Sequence, residues 1–172
     1  PNSQSQTLFN MKYMVAIDNS PCSRAAFDTV VRMVNPAEDE VFLLGVAEEG
    51  ATFAAGAYAD YHFIMEVNKK IIDHTRAFLK QHGRELTEKG IKHVCLLGKG
   101  VPRETICAEA GERKVDLLVL GCRKHNAVQR TIVGSNSVYA LHHAPCSVFV
   151  VKTECPEEES NDSEESKATE EL

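Results

Sequence analysis

The stretch VDLLVLGCRKHNAVQRTIVGSNS, residues 115–137, decides the fold of this chain. It begins with an almost wholly apolar run that is too short for a helix and stops at Gly121. A near-continuous apolar run of this length is typical of a strand that is buried on both faces, as in a parallel sheet. The stretch therefore predicts a buried strand that ends at Gly121.

The segment after this strand combines positive charge with glycine and serine, and it contains no carboxylate before residue 137. Its notable residues are Arg123, Lys124, Arg130, Gly134, Ser135 and Ser137. Glycine lets backbone N–H groups approach an anion, hydroxyls donate to it, and a helix start adds a favourable dipole. These features predict an anion-binding site, and a surface loop with solvated charges is the alternative.

Outward from this stretch, strand and helix patterns alternate along the chain. Strands are predicted at 12–17, 40–47, 91–97, 115–120 and 147–151. Helices are predicted at 21–34 and 65–89, from residue 102, and from the Gly-Ser run to about residue 141; residues 48–64 form a long connection. This order predicts an open parallel five-stranded sheet with helices on both faces, an α/β fold.

The turn after the first strand holds a candidate ligand residue, Asp18. Ser20 is a plausible N-cap and Pro21 suits the first position of the helix that follows. Asp18 has two interpretations: its carboxylate stabilises the turn, or it meets a ligand at the carboxyl end of a central strand.

Several motifs together resemble the universal stress protein family. They are the start YMVAIDNSPCSRAAF (13–27), the GxP step at 100–102, the spacing Gly121-x₂-Lys124-x₉-Gly134-Ser135, and the end YALHHAPCSVFVVK (139–152). The resemblance extends in collinear order over residues 12–152. One position departs from the family's ATP-binding branch, which has a glycine where this chain has Lys124.

The resemblance implies a sheet of order 3-2-1-4-5, with a ligand crevice between the carboxyl ends of strands 1 and 4. It implies that Asp18 and the backbone at Val46 contact adenine. The phosphates would then meet Gly121, Arg123, Lys124, Gly134, Ser135 and Ser137. The implied ligand is ATP, with Mg²⁺ as a possible companion.

The resemblance also implies a function and an assembly. We expect an ATP-binding stress-response regulator that forms a homodimer through its last strand and acts on a regulatory protein partner. The alternative is a nucleotide-free dimeric interaction module of the same fold, and Lys124 is the residue that separates the two. A nucleotide hydrolase is a third reading; we identify no catalytic base and therefore expect no enzyme, although slow ATP hydrolysis stays open.

Charge is distributed unevenly along the chain. Of the 25 acidic and 19 basic residues, nine acidic and one basic lie in residues 153–172, so the net charge of −6 comes from this tail. We expect a flexible segment at 1–10, a stress-protein domain at 11–152 and a disordered acidic tail at 153–172. A near-neutral domain indicates no nucleic-acid partner.

Cysteine usage and the absence of long apolar runs suggest a location. Six cysteines occur without a CxxC pair, mostly in apolar segments, which fits reduced thiols. No run approaches the length of a membrane span, and residues 1–10 lack the features of a signal peptide. We therefore expect a cytoplasmic protein without a membrane partner.

A metal site is not predicted. The candidate ligands near the end of the domain are His142, His143 and Cys146, and no second ligand pair accompanies them.

Overall fold

The computed structural model of the chain describes residues 10–48, 61–123 and 134–153. Strands and helices alternate along these residues. The strands are β1 (Lys12–Ala16), β2 (Glu40–Ala47), β3 (His93–Lys99), β4 (Leu117–Arg123) and β5 (Ser147–Thr153). The helices are α1 (Pro21–Met33), α2 (Tyr61–Glu88), α3 (Pro102–Glu112) and α4 (Ser135–His143).

The five strands form one parallel sheet of order β3-β2-β1-β4-β5. This confirms the predicted fold and strand order. The connections β1–α1–β2 and β2–α2–β3 run toward one edge of the sheet, and β3–α3–β4 and β4–α4–β5 run back across it. Because such crossovers are right-handed, the first two helices cover one face and the last two cover the other.

Two apolar clusters fill the space between the sheet and its helices. Phe27, Val30 and Leu79, from α1 and α2, pack against alternate residues of the strands on the first face. Ile106, Ala110 and Ala140, from α3 and α4, pack on the second face. Strand residues such as Met14 and Val15 are fully buried and point to opposite faces, which explains why the strands read as continuous apolar runs.

Some boundaries differ from the sequence expectation. Helix α2 begins at Tyr61, inside the predicted 48–64 connection, and β3 runs from His93 to Lys99 instead of 91–97. Ile91 belongs to the turn, since its N–H donates to the Leu86 carbonyl at 2.9 Å. The helix stop at Gly90 is as predicted, with φ of 69° there.

Gly83 in α2 has a packing role that its sequence position did not reveal. A Cβ at this position would lie 2.9 Å from Cys95 Sγ and 3.2 Å from His93 Nε2. The glycine therefore lets α2 approach the edge strand β3 closely, which offsets its low helix propensity.

The chain ends and the long connection are described only in part. The predicted flexible segment 1–10 and the acidic tail 153–172 lie outside the described residues except for residues 10 and 153. In the described part of the chain, no helix has the length and apolar character needed to cross a membrane.

Candidate functional site

A cleft of about 270 Å³ opens at the carboxyl edge of the sheet, where β1 and β4 lie side by side. The strand order reverses between these two strands, which is where open α/β sheets bind ligands. Its walls come from the ends of β1, β2 and β4 and from the first turns of α1, α3 and α4. Of the predicted site residues, Asp18, Val46, Gly121 and Ser137 line it.

Asp18 follows β1 and lies in a turn that leads into α1. Its Oδ1 accepts the Ser20 N–H at 2.9 Å, and Ser20 Oγ caps the helix by accepting the Ser23 N–H at 3.2 Å. Pro21 occupies the start of the helix as expected. The first interpretation of Asp18, a turn-stabilising carboxylate, therefore describes one of its oxygens. No described residue bonds the other oxygen, and the residue faces the cleft.

Gly121 lies where β4 passes under the first turn of α1. A Cβ at this position would overlap the carbonyl group of Cys22 and would lie 2.8 Å from the Ser23 N atom. These neighbours are backbone atoms that no change of rotamer moves. Gly121 is thus required for α1 to lie against β4, in addition to lining the cleft.

The start of α4 offers hydrogen-bond donors. Gly134 is its N-cap residue, with φ of −50°, and makes no side-chain cap; its own N–H points to Cys122 Sγ at 3.4 Å. The N–H groups of the first helical turn have no partner within a helix. Since no proline occupies this turn, Ser135, Asn136 and Ser137 each keep an N–H group near the cleft.

The Ser137 hydroxyl is a further donor. The residue is only 2% exposed, and its side chain has no hydrogen-bond partner among the described residues. Ser137 is therefore placed to donate to a group bound in the cleft.

Two further residues line the cleft at the end of β2. Val46 is partly buried and packs on the second apolar cluster, so it contributes both to the core and to the wall of the cleft. Glu48 follows β2 and also lines the cleft. Glu48 was not among the predicted site residues, although its position just after a parallel strand is the same signal that identified Asp18.

The remaining predicted residues are placed as follows. Gly134 and Ser135 lie at the start of α4, beside the residues that line the cleft. Arg123 is the last residue of β4, and only its backbone is described. Lys124 and Arg130 lie outside the described residues. Within residues 10–48, 61–123 and 134–153, no group of three or more His, Cys, Asp or Glu is placed to hold a metal ion.

Charge in the described lining is divided between acids and helix ends. Asp18 and Glu48 are its only ionisable side chains, counted over the residues that the structure describes. Three helices, α1, α3 and α4, present their first turns to the same space. Helix N-termini attract negative groups, and the carboxylates attract hydrogen-bond donors. The arrangement suits a ligand that carries both an anionic part and an amine or hydroxyl part.

Comparison with known proteins identifies relatives over nearly the whole described range. The model of the universal stress protein family matches residues 10–152. Universal stress protein YxiE of Bacillus subtilis is 28% identical over 149 residues, covering 84% of this chain and 100% of that protein.

Solved structures with the same fold include two members of that family. Universal stress protein UspA from Lactobacillus plantarum superposes with a TM-score of 0.66 at 24% identity, covering 82% of this chain and 97% of that one. A protein of the family from Arabidopsis thaliana, solved with AMP bound, has a TM-score of 0.61 at 22% identity, covering 84% of this chain and 93% of that one.

Proposed function

Because this chain belongs to the universal stress protein family, we propose that it binds an adenine nucleotide in the cleft between β1 and β4. We further propose that it acts as a homodimeric regulator whose partner surface responds to the bound nucleotide. One observation carries the proposal. Asp18, Val46, Gly121 and Ser137 come from four separate segments of the chain, and all four line one cleft.

The base of the nucleotide is assigned to the β1 and β2 side of the cleft. The free oxygen of Asp18 is an acceptor, and the 6-amino group of adenine is a donor of matching chemistry. Val46 and Leu44 give this side an apolar wall against which a flat ring packs. Guanine, which carries a carbonyl at this ring position, would meet the carboxylate with the wrong polarity.

The phosphates are assigned to the start of α4. This helix begins without a side-chain cap, and the hydroxyl of Ser137 is unpaired among the described residues. Both features favour an anion at a helix N-terminus. Lys124 and Arg130 lie in the sequence between β4 and α4, so they are the basic residues that would add charge to the phosphate side.

The AMP-bound Arabidopsis protein supports the choice of an adenine nucleotide. The choice of ATP over AMP rests on charge. Each added phosphate is attracted by the positive charges of Lys124, Arg123 and Arg130. We therefore expect ATP to bind more tightly than AMP at low salt. That difference should shrink as salt is added, since exposed charges are screened over about 8 Å at physiological ionic strength.

The homodimer is assigned to β5. Among the described strands, β5 pairs with β4 alone, so its other edge presents unpaired backbone groups. Phe149 on this strand is 43% exposed, and Leu141 on the neighbouring helix α4 is 55% exposed. An isologous pairing of two β5 strands would cover both the backbone edge and these apolar side chains.

A calorimetric titration with ATP and AMP tests nucleotide binding. Asp18→Ala should weaken both ligands by about ten- to a hundredfold, the range expected for a hydrogen bond to a charged group. Asp28→Ala is the matched control. It removes the same charge from α1, but Asp28 is paired with Arg24 on the exposed side of the helix, so affinity should not change.

Lys124→Gly separates this proposal from the nucleotide-free module. If Lys124 is a phosphate ligand, the variant binds ATP more weakly and with less dependence on salt. If Lys124 only obstructs the loop, the variant binds more tightly, because glycine allows a close backbone approach. No heat of binding for either nucleotide in the wild type, with binding gained in Lys124→Gly, would establish the nucleotide-free module instead.

A regulator is proposed here in preference to an enzyme. The described lining holds no histidine, cysteine or lysine. Its two carboxylates lie on the side of the cleft that is assigned to the adenine ring. Phosphate release from ATP by the wild type and by Glu48→Gln checks this choice. Turnover that is lost in Glu48→Gln would reassign the protein to the nucleotide hydrolases.

A further inference from the structure

Ser23 closes a ring of hydrogen bonds around Asp18. Its Oγ accepts the Asp18 N–H at 3.1 Å and donates to the Asp18 carbonyl at 2.6 Å. The Ser20 carbonyl lies 3.0 Å from the same hydroxyl. A hydroxyl has one proton, so the shorter contact, to Asp18, receives it. Both backbone groups of Asp18 are therefore bonded to one side chain.

The carboxylate of Asp18 is held by a separate hydrogen bond, from the backbone of Ser20. Its Oδ1 accepts the Ser20 N–H at 2.9 Å, which leaves Oδ2 as the oxygen without a partner among the described residues. With the backbone fixed by Ser23 and one oxygen fixed by Ser20, few directions remain open to Oδ2. Ser23 is 5% exposed and lies at the wall of the same cleft.

Ser23 is not needed to cap helix α1. The side-chain cap of that helix is Ser20, whose Oγ accepts the Ser23 N–H. The hydroxyl of Ser23 points back to Asp18, two residues before that cap. Its bonds thus serve the orientation of Asp18, and Gly121 lets the first turn of α1, which carries Ser23, lie close against β4.

We propose that Ser23 is a positioning residue that makes the cleft selective for 6-aminopurine nucleotides, by holding Asp18 so that its free oxygen faces the 6-amino group. This inference rests on the proposed function. A carboxylate held in one direction recognises a donor at one position of the ring, and a carboxylate free to turn finds water instead. Loss of the Ser23 hydroxyl therefore lowers discrimination at the 6-position more than it lowers affinity in general.

The probes are AMP and purine riboside 5′-monophosphate, which has hydrogen in place of the 6-amino group. We expect the wild type to prefer AMP by about ten- to a hundredfold, as for one hydrogen bond to a charged group. In Ser23→Ala this preference should fall to within about threefold, while the affinity for purine riboside 5′-monophosphate stays within about twofold of wild type.

Thr29→Ala is the matched control. It removes another hydroxyl of α1 that donates to a backbone carbonyl, that of Ala25 at 2.8 Å, and Thr29 is not among the described residues that line the cleft. The preference for AMP should therefore survive in Thr29→Ala. If Ser23→Ala does not fold, Ser23→Cys carries the measurement, because a thiol of similar shape is a weaker donor and acceptor. Its preference should also fall.

Three results would overturn the inference in distinguishable ways. A wild-type preference for AMP that persists in Ser23→Ala, or in Ser23→Cys where that variant is used, shows that Asp18 needs no positioning; nucleotide binding would stand. An absence of AMP binding by the wild type removes the proposed function and this inference together. Equal losses for both ligands in Ser23→Ala show a purely structural residue, and they also refute the inference.

Discussion

Replacing Gly121 by alanine is the sharpest test of how the cleft is built. The added Cβ would overlap the carbonyl group of Cys22 and would lie 2.8 Å from the Ser23 N atom. Both neighbours belong to the backbone of α1, so the helix as a whole has to move away from β4. That movement also displaces the turn that carries Asp18.

The magnitude follows from the kind of atoms that collide. Overpacking a well-filled interior costs typically about 1–3 kcal/mol, and a collision with backbone belongs at the upper end because no side chain can rotate away. Alanine also lowers the conformational entropy of the unfolded chain, which stabilises the folded state by about 0.4–1 kcal/mol. We therefore expect Gly121→Ala to lose about 2 kcal/mol of unfolding free energy, or about 4–8 °C in melting temperature for a chain of this size.

Urea unfolding followed by circular dichroism measures this loss, and Gly134→Ala is the matched control. Gly134 belongs to the same predicted phosphate signature, yet a Cβ there would meet nothing within 4 Å, and its φ of −50° suits any residue. The control should stay within about 0.5 kcal/mol of wild type, because the weaker N-cap and the stiffer unfolded chain oppose each other. Equal stability of Gly121→Ala and Gly134→Ala would refute the close approach of α1 to β4.

Three further outcomes are expected. The Arg24 guanidinium donates to both carboxylate oxygens of Glu85, at 2.8 and 2.9 Å, and holds the pKa of Glu85 below its usual value. The pair therefore stabilises the fold above the unfolded pKa of about 4.3, and this stabilisation is lost as the pH falls through the lowered folded pKa. Glu85→Gln should lower the free energy of unfolding in urea by about 0.5–1 kcal/mol at pH 7 and by less at acidic pH. An equal loss at pH 2 would contradict the ion pair. Phe149→Lys should weaken self-association in sedimentation experiments because it places charge at the edge strand, and a wild type that is monomeric at tens of micromolar, roughly an ordinary range for homodimers, would count against the β5 interface. Deleting residues 154–172 should leave the melting temperature within about 3 °C, since a segment so rich in acids buries little apolar surface; a larger drop would show that the tail docks on the domain.

Local rules of sequence predicted the parts of the site that depend on neighbouring residues. Ser20 and Pro21 were identifiable as a helix start because capping and φ restriction act within one turn. Asp18 was identifiable from its place after an apolar strand, and Glu48 has the equivalent place after β2. The strand order 3-2-1-4-5 came from the family resemblance, since alternation of strands and helices alone fits several orders.

The rest of the site depends on contacts between distant residues. Gly121 appeared to be a phosphate glycine, and only the structure shows that it meets the backbone of Cys22. The Ser23 hydroxyl reaches back past the N-cap to Asp18, whereas the capping-box rule expects a side chain at this position to meet the N–H of the N-cap residue itself, so that rule does not predict these bonds. Gly83 has a low helix propensity for a position inside α2, and its close contacts are with β3, an element that propensity does not consider.

The position of β1 between β2 and β4 has a consequence for how the protein folds. Strands β1, β2 and β3 pair with neighbours in the sequence, whereas β4 must return to β1, and the Lys12 N–H meets Asp116 Oδ2 across 104 positions. Closing so long a loop lowers the entropy of the chain before the contacts between β1 and β4 can stabilise it. We therefore expect this junction to form late in folding. The cleft lies on that junction. A ligand of the cleft therefore binds only the completed sheet, and at a hundred times its dissociation constant it would draw the folding equilibrium toward that state by about 2.7 kcal/mol.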